Sequence, residues 1–399
     1  MSGLLMRTRA AVGASKAMSV ERAGADAAAH ALAALEGRAP SLGLVFATAR
    51  YPQEELLRAV RATVGPECQL AGCSGEGVIS GANSDETDRA VAVLLITSTS
   101  IRFDALLVEG YAEDPAGAGR RLVQAVRDTG VAAPAGLWIF ADGLLGNCAE
   151  LLSEVHRGLP GVPVVGGAAG DSLEFVRTFQ YGNRSVISGG ISAVVISGDA
   201  DVRVAVSHGC TPLGLPRRVT SADNGWVYEI DGVPAWTVFK EYLEGDPQDL
   251  NADGIVHLCI GEELKDTPGE YIIHTPLRLD NEGGALFFPG GGLVSGQEVR
   301  MTRRDPDRIV EGAKLCGDLL TRADQRPAFV LQLDCAGRGR VLFGSCAADF
   351  IVKPIQERLG DSVPWIGFHT YGEIAPIRPG HEPRYHNYTV ALCAVFDRP

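Results

Sequence analysis

The chain has 399 residues, roughly two to three times the usual length of a domain, so we expect at least two substantial cores. Hydrophobic residues make up 46% and charged residues 21%, which is typical of a globular protein and excludes a disordered one. The net charge of −13 argues against nucleic acid and against anionic membranes as partners.

Nine cysteines occur at no short regular spacing, which favours reduced thiols over a disulfide framework. No signal peptide and no apolar run of membrane-spanning length is recognisable. We therefore expect a cytoplasmic protein that does not cross a membrane.

Helix start and stop signals predict several helices along the chain. A capping residue, a proline or acidic residues mark each start, and a glycine marks most of the ends. The predicted helices are an Ala-rich one capped by Ser19 and ending near Gly37, one opened by Pro52 and stopped by Gly65, one capped by Asp231 and closed by Gly245, and one opened by Asp305.

An internal repeat is the most informative feature of the sequence. The segments 68–79, 162–173 and 363–374 each form a short apolar strand that runs into a glycine and then a small or polar loop. Each follows a helix, which itself follows a buried strand, and each unit is later closed by another apolar strand. The pattern predicts an α/β (α+β) fold of three β-α-β-β units in two pseudo-related lobes, with sheets layered against helices. A less regular stretch, about 200–300, is expected between the second and third units.

The loops that end these strands are the predicted ligand site. Ligands of α/β folds bind where parallel strands end and open into a crevice. We therefore expect the three repeat loops to wall a single cleft. Their glycines either let a ligand approach backbone N–H groups or only make tight turns.

The order and spacing of several motifs resemble the FIST family over roughly residues 40–397. The motifs are GCSGEGVI (72–79), VVGGAAGD (164–171), GCTPLG (209–214), DCAGRG (334–339), IGFHTYGEIAP (366–376) and HNYT (386–389). The resemblance implies an N-terminal extension at 1–38, a FIST N-terminal domain at 39–230 and a FIST C-terminal domain at 231–399. Val78 stands where the family usually has a glutamate, whereas Glu373 keeps this carboxylate in the C-terminal copy.

The resemblance also implies a small-molecule sensor that acts in trans on a signalling protein, such as a histidine kinase or a cyclic-dinucleotide enzyme. Some members are reported as haem-binding nitric oxide sensors, so haem is the candidate cofactor although none is firmly implied. A homo-oligomer is compatible with the sequence. Whether the chain is also an enzyme stays open, and the motifs lean against it.

Arg338 and Asp142 are the charged residues expected at strand ends. Arg338 follows a buried strand between glycines, where a guanidinium either clamps a ligand carboxylate or forms an internal ion pair, for instance with Glu373. Asp142 either orients a ligand amine or caps the helix that starts near Gly146.

Cysteines and histidines in the same loops have two interpretations each. Cys335 is either a thiolate activated by nearby Arg338 or a small buried residue. Cys73 and Cys210 lie in comparable loops and are likewise either reactive thiols or small buried residues. Histidine is the plausible haem ligand and a natural general base. This makes His369, His386 and His208 the candidates for such roles, although His386 and Asn387 are as well suited to hold a loop by hydrogen bonds.

The sequence therefore leaves three small-molecule functions open, and a protein-recognition scaffold is a fourth possibility. The three are a sensor for a small polar, amino-acid-like metabolite, a haem-based nitric oxide sensor, and a hydrolase or lyase using Cys335, His369, Glu373 and Arg338. The residues predicted to contact a ligand are Cys73, Ser74, Asp142, Gly167, Asp171, Cys210, Cys335, Arg338, His369, Tyr371, Glu373, His386 and Asn387.

Overall fold

The computed structural model describes residues 7–250, 257–265 and 267–398. Among them the helices are α1 (Val20–Ala34), α2 (Gln53–Val64), α3 (Pro115–Asp128), α4 (Cys148–Gly158), α5 (Ala235–Lys240), α6 (Pro306–Leu320), α7 (Arg340–Phe343), α8 (Ala347–Ile351) and α9 (Lys353–Leu359). None of these helices is long and apolar enough to cross a membrane.

The strands follow in chain order. They are β1 (Thr8–Ser15), β2 (Leu42–Thr48), β3 (Gln69–Gly75), β4 (Gly77–Ser80), β5 (Asn83–Asp85), β6 (Val91–Ser98), β7 (Ile101–Val108), β8 (Gly136–Ala141), β9 (Val164–Ala168), β10 (Gln180–Tyr181), β11 (Val186–Ile187), β12 (Ile191–Gly198), β13 (Ala200–Ser207), β14 (Cys210–Asp223), β15 (Trp226–Ile230), β16 (Val233–Pro234), β17 (Leu258–Glu263), β18 (Tyr271–His274), β19 (Arg278–Leu279), β20 (Leu286–Phe287), β21 (Glu298–Arg304), β22 (Phe329–Cys335), β23 (Trp365–Thr370), β24 (Gly372–Pro376), β25 (Pro383–His386) and β26 (Val390–Asp397).

Three six-stranded sheets share one strand order. They run β1-β6-β2-β3-β10-β11, β7-β12-β8-β9-β24-β25 and β13-β26-β22-β23-β4-β5. In each, two parallel strands of one repeat unit lie beside that unit's closing strand, and the last two strands are a hairpin from another unit. The units therefore interlock in a cycle, and the predicted α/β fold of repeated β-α-β-β units layered with helices is confirmed.

The repeated glycines Gly72, Gly166 and Gly367 have one physical cause. A Cβ atom at each would lie 1.9, 1.8 and 1.9 Å, respectively, from the carbonyl oxygen of the residue opposite it on the parallel neighbour strand. Only glycine permits this approach of two backbones. The repeat seen in the sequence is thus a backbone requirement that all three units share.

One central core joins the three sheets, and the helices cover their outer faces. Phe46, Phe140 and Phe368, one from each sheet, pack together with ring centroids 4.6 to 6.1 Å apart. Separate apolar clusters join α1 and α2, α3 and α4, and α6 and α9 to the outside of their own sheets. Since burying one such aromatic side chain contributes about 1.5–3 kcal/mol, the shared core ties the units into one body.

A fourth, curled sheet of β14 to β21 accounts for the irregular stretch. It lies between β12, which closes the second unit, and β22, which begins the third, as predicted. It directly follows β13, which pairs with the closing strand β26 of the third unit. Its thiols Cys210 and Cys259 pack against Cys335 and Tyr388 of the third unit. This contact brings the inserted sheet to the ends of the repeat strands.

Helix caps agree with the sequence at Ser19 and Asp305 but not at Asp231. Ser19 Oγ accepts the N–H of Arg22, and Asp305 caps α6. The predicted helix 231–245 begins only at Ala235 and ends at Lys240, because the residues before it pair as the β15–β16 hairpin. Asp231 lies in the turn of that hairpin with a φ of 53°.

Candidate functional site

The three repeat loops meet and hydrogen-bond to one another. They are joined by Gly170 N–H to Ser74 O (3.1 Å), Ser74 Oγ to Gly170 O (2.7 Å), Glu76 N–H to His369 O (2.9 Å) and Tyr371 N–H to Ala168 O (3.0 Å). The predicted convergence of residues 73–78, 167–172 and 368–373 is therefore present. Hydrogen bonds between loops of different units also fix their shape.

A cavity of about 380 Å³ opens beside this junction. Its walls come from the second unit, the third unit and the inserted sheet. The described lining residues are Gly143, Leu173, Phe175, Leu250, Thr275, Pro276, Leu277, Pro289, Cys335, Ala336, Gly337, Val341, Thr370, Tyr371, Asn387 and Tyr388. The loop of the first unit was predicted to line the cleft as well, but it lies behind the wall, against Gly170.

Tyr371 and Asp171 build one wall of the cavity. The Tyr371 hydroxyl donates to Asp171 Oδ1 at 2.6 Å, and the Tyr371 ring stacks on Phe175 at 5.3 Å. Asp171 also accepts three backbone N–H groups, from Phe175, Val176 and Arg177. Tyr371 thus presents a flat apolar face to the cavity, whereas Asp171 shapes the loop 172–177 from behind.

Asn387 and His386 hold loops, which is the second of their two interpretations. Asn387 accepts the N–H of Thr275 at 3.1 Å and donates to Tyr371 O at 3.2 Å, so it ties the inserted sheet to the third repeat loop. The His386 Nε2 lies 2.9 Å from Ala375 O, and burial lowers the pKa of His386 to about 4. Asn387 lines the cavity, and His386 does not.

Cys335 lies on the cavity wall but is not an activated thiolate. Burial, and then the adjacent Glu373 carboxyl, raise the pKa of its thiol. Arg338 is not among the groups that shift this pKa, and the cation that does lower it, Arg304, has a smaller effect than burial. Of the two interpretations, that of a buried thiol therefore agrees with the structure. Glu373 itself is fully buried, accepts a hydrogen bond from Thr370, and has its pKa raised by burial. It is therefore a core group behind Thr370.

Arg338 forms an internal ion pair and does not face the cavity. Its Nε donates to Asp334 at 2.9 Å, its Nη1 donates to Ser207 O at 3.0 Å, and both members of the pair are fully buried. The predicted alternative of an internal pair is therefore correct, but the partner is Asp334 and not Glu373. The guanidinium clamp for a ligand is not formed by this residue.

His369 belongs to a buried polar cluster with two carboxyl groups. Its Nε2 lies 2.7 Å from Ser84 Oγ and 3.6 Å from Glu86, and burial lowers its pKa to about 4. Burial raises the pKa of Glu76 to about 8 and that of Glu86 to about 7. The sequence pointed to Val78 as a lost carboxylate position, whereas Glu76, two residues earlier, supplies a carboxyl here.

Four further predicted residues stabilise the loops from inside. Cys73 is fully buried, and burial raises the pKa of its thiol. Gly167 packs against Thr370, where a Cβ would lie 2.7 Å from its methyl carbon. Asp142 accepts hydrogen bonds from the 144–145 turn, from Gly189 and from Thr178, while Asn147 caps the helix that Asp142 was expected to cap. Ser74 bridges two loops, as described above.

Cys210 and His208 lie at the junction with the inserted sheet. The N–H of Cys210 donates to His208 Nδ1 at 2.8 Å. A hydrogen bond from Cys259, together with His208 and Arg304, lowers the pKa of the Cys210 thiol in spite of its burial. Burial, and then the same contact, raise the pKa of the Cys259 thiol. Neither Cys210 nor His208 lines the cavity.

The residues proposed for haem binding and for catalysis are not brought together around the cavity in the described part of the chain. Of the three candidate haem ligands, none lines the cavity, and His369 and His386 are buried with Nε2 engaged by protein oxygens. These residues do not fit an axial ligand for a group in the cavity, so haem stays a prediction of the family resemblance. Of the four proposed catalytic residues, only Cys335 reaches the cavity. The described residues also hold no cluster of three or more metal-ligating side chains.

Sequence reasoning missed Phe175, Thr370, Tyr388 and Arg304. Thr370 and Tyr388 fall inside the motifs that carried the resemblance, so attention to every polar or aromatic position there would have found them. Phe175 lies in a loop without a repeat signal. Arg304 ends a strand of the inserted sheet, where no sequence pattern pointed to a site.

Curated relatives match the chain along almost its whole length. A protein of Mycobacterium tuberculosis, described as uncharacterized, is 30% identical over 400 residues, which cover 98% of this chain and 100% of the relative. A second one, from Mycobacterium bovis, is 28% identical and covers 98% of this chain and 99% of its own. These relatives carry no function that could be compared.

Among solved structures, a cyanuric acid hydrolase aligns over 98% of this chain and 100% of its own, at a TM-score of 0.38 and 10% identity. A likeness this low supports no statement about activity. The family models are decisive instead: the FIST N domain matches residues 41–233 and the FIST C domain matches residues 235–376. The chain therefore belongs to the FIST family.

Proposed function

We propose that this protein is a sensor whose cavity at the converging strand ends binds a small polar, amino-acid-like metabolite and that it signals in trans. FIST domains are generally small-ligand sensory domains and associate with signalling proteins. The output passes to a separate signalling protein, for which a histidine kinase or a cyclic-dinucleotide enzyme is proposed.

The observation that carries this proposal is the composition of the cavity wall. The 380 Å³ space is bounded by loops of the second unit (Leu173, Phe175), strand ends of the third unit (Thr370, Tyr371) and residues 275–277 of the inserted sheet. Its volume is within the usual range of about 300–1,000 Å³ for small-molecule sites. A ligand here touches three parts of the fold at once, so binding it changes how these parts are held together.

The chemistry of the wall indicates what kind of ligand fits. Tyr371, Phe175 and Tyr388 offer aromatic faces, and the remaining wall is largely apolar with backbone groups at residues 336–337. Such a site binds a molecule with a flat or apolar part and a polar end. Leu173, Phe175 and Val341 are 42%, 45% and 47% exposed, so the cavity is reached from this side.

A metabolite screen with a blocked cavity tests the proposal. A ligand present at 100 times its Kd adds about 2.7 kcal/mol to the free energy of unfolding, which a thermal shift detects. Val341→Trp places a large ring at the exposed edge of the cavity and should abolish the shift. Val294→Trp, at a 59% exposed position away from the cavity, is the matched control and should keep it. The proposal is wrong if no metabolite stabilises the protein, or if both variants respond as the wild type does.

A further inference from the structure

Arg304 is a buried guanidinium without a carboxylate partner among the described residues. It is the last residue of β21 and is 3% exposed. Its Nη1 donates to Gly337 O, while Nε and Nη2 have no hydrogen-bond partner. Burying an uncompensated charge is unfavourable, so such a group is normally paired.

The two unpartnered donors have the geometry of an oxyanion site. Nε and Nη2 share one edge of the guanidinium plane, and this edge binds the two oxygens of a carboxylate or phosphate side by side. Thr302, two residues earlier on the same face of β21, has a hydroxyl that is also buried and unpartnered. Three polar groups on this face of β21 thus lack a hydrogen-bond partner among the described residues.

Arg304 lies directly behind the cavity wall. Gly337, which accepts its hydrogen bond, lines the cavity, as does Cys335. The Tyr388 ring separates Arg304 from the cavity, with the guanidinium carbon 4.0 Å from the ring centroid. The π-face of Tyr388 balances part of the Arg304 charge, and the Cys210 thiol, whose pKa Arg304 helps to lower, lies opposite it in the ladder.

Tyr388 has the features of a movable partition. Its backbone φ is 50°, a strained conformation for a non-glycine residue that clusters at active sites, ligand clamps and switch regions. The ring fits only because residue 337 is glycine, since a Cβ there would lie 2.1 Å from a Tyr388 ring carbon. Tyr388 is therefore the side chain that a ligand in the cavity would have to displace to reach Arg304.

We propose that Arg304 is the anion-binding residue of the cavity: the ligand carries a carboxylate or phosphate, which displaces the Tyr388 ring and binds the Nε–Nη2 edge. This inference rests on the proposed function, because it names the charge of the ligand for the same cavity. The thiol of Cys210, which lies opposite Arg304 in the β14–β21 ladder, and the thiols of Cys259 and Cys335 surround this site.

Benzoate and benzamide are matched probes for this site, because they differ mainly in charge and fit an aromatic-lined cavity. Calorimetric titration at constant ionic strength should show benzoate binding at least about tenfold more tightly than benzamide, the ratio expected for a charge-assisted pair. In Arg304→Gln this preference should disappear. In Arg303→Gln, which changes the exposed neighbour on the opposite face of β21, it should remain.

Arg304→Lys keeps a charge without the two-donor edge, and we expect it to lose most of the preference. Arg304→Lys also tests the role of Arg304 if Arg304→Gln does not fold. Acetate and inorganic phosphate report whether the carboxylate or the phosphate group is favoured. The inference is overturned if benzamide binds wild-type protein as tightly as benzoate, if the preference survives in Arg304→Gln, or if none of the anions binds. A neutral metabolite that binds in the cavity independently of Arg304 would contradict this inference while leaving the proposed function intact.

Discussion

Asp171 is the residue whose replacement should loosen the cavity wall most specifically. Its Oδ2 accepts the N–H groups of Val176 (2.6 Å) and Arg177 (2.8 Å), and its Oδ1 accepts the N–H of Phe175 (3.0 Å) and the hydroxyl of Tyr371 (2.6 Å). In Asp171→Asn an NH₂ group replaces one of the two oxygens. With NH₂ at the Oδ1 position the N–H of Phe175 faces a donor, whereas the Tyr371 hydroxyl can turn to accept. At least one hydrogen bond is therefore lost, and the others lose the carboxylate charge.

The expected magnitude follows from these contacts. A hydrogen bond to a carboxylate contributes about 1.5–3 kcal/mol and one to a neutral group about 0.5–1.5 kcal/mol. Losing one bond and weakening the other three therefore costs at least about 3 kcal/mol of loop stability. The loop is already strained, because Ser172, Leu173 and Phe175 have φ values of 65°, 55° and 53°. Such residues keep their conformation only while their surroundings enforce it. We therefore expect local opening of the loop before global unfolding.

Amide hydrogen exchange measures this opening. A loss of 3 kcal/mol corresponds to about 100-fold faster exchange of the amides of Phe175, Val176 and Arg177. Glu174→Gln changes a half-exposed carboxylate in the same loop, which pairs with Arg50, and is the matched control. Unchanged protection at these three amides in Asp171→Asn would refute the role assigned to Asp171.

Two further predictions concern the strand junction and the buried carboxyl groups. Gly367→Ala puts a Cβ 1.9 Å from Gln332 O and should lower the free energy of unfolding, measured in urea, by more than about 3 kcal/mol. Gly380→Ala, where the added Cβ meets open space, is the control and should lower it by about 1 kcal/mol. Equal losses in the two variants would contradict the argument that the repeated glycines are a backbone requirement. Because the folded-state pKa of Glu76 is raised to about 8, the folded protein holds a proton that the unfolded chain releases near 4.5, so stability falls as pH rises from about 5 to 8. The difference in the free energy of unfolding between about pH 5 and about pH 8, measured in urea, should be about 2–4 kcal/mol smaller in Glu76→Gln than in the wild type. The same difference in both proteins would contradict the raised pKa of Glu76.

The parts of the fold that the sequence predicts are those with local causes. Gly72, Gly166 and Gly367 are visible because each unit needs the same close backbone approach, and the caps at Ser19 and Asp305 are short-range hydrogen bonds. The exchange of hairpins among the three sheets is not visible, because it depends on which strand edges meet after the units have formed.

The candidate site divides in the same way. Strand-end loops are predictable, and Tyr371, Asn387 and Cys335 do reach the cavity. The partner of an arginine is not predictable, since Arg338 finds Asp334 four residues earlier while Arg304 finds no carboxylate among the described residues. Likewise, the pKa of Cys335 depends on burial and on Glu373, which only the folded arrangement brings together.

A crystal structure of the protein with the most stabilising metabolite from the screen tests the central claim most directly. We predict ligand density between Tyr371, Thr370 and Gly337, in contact with both the repeat loops and the inserted sheet. Density at a different surface, with this cavity unchanged, would contradict the assignment of the converging strand ends as the sensor site.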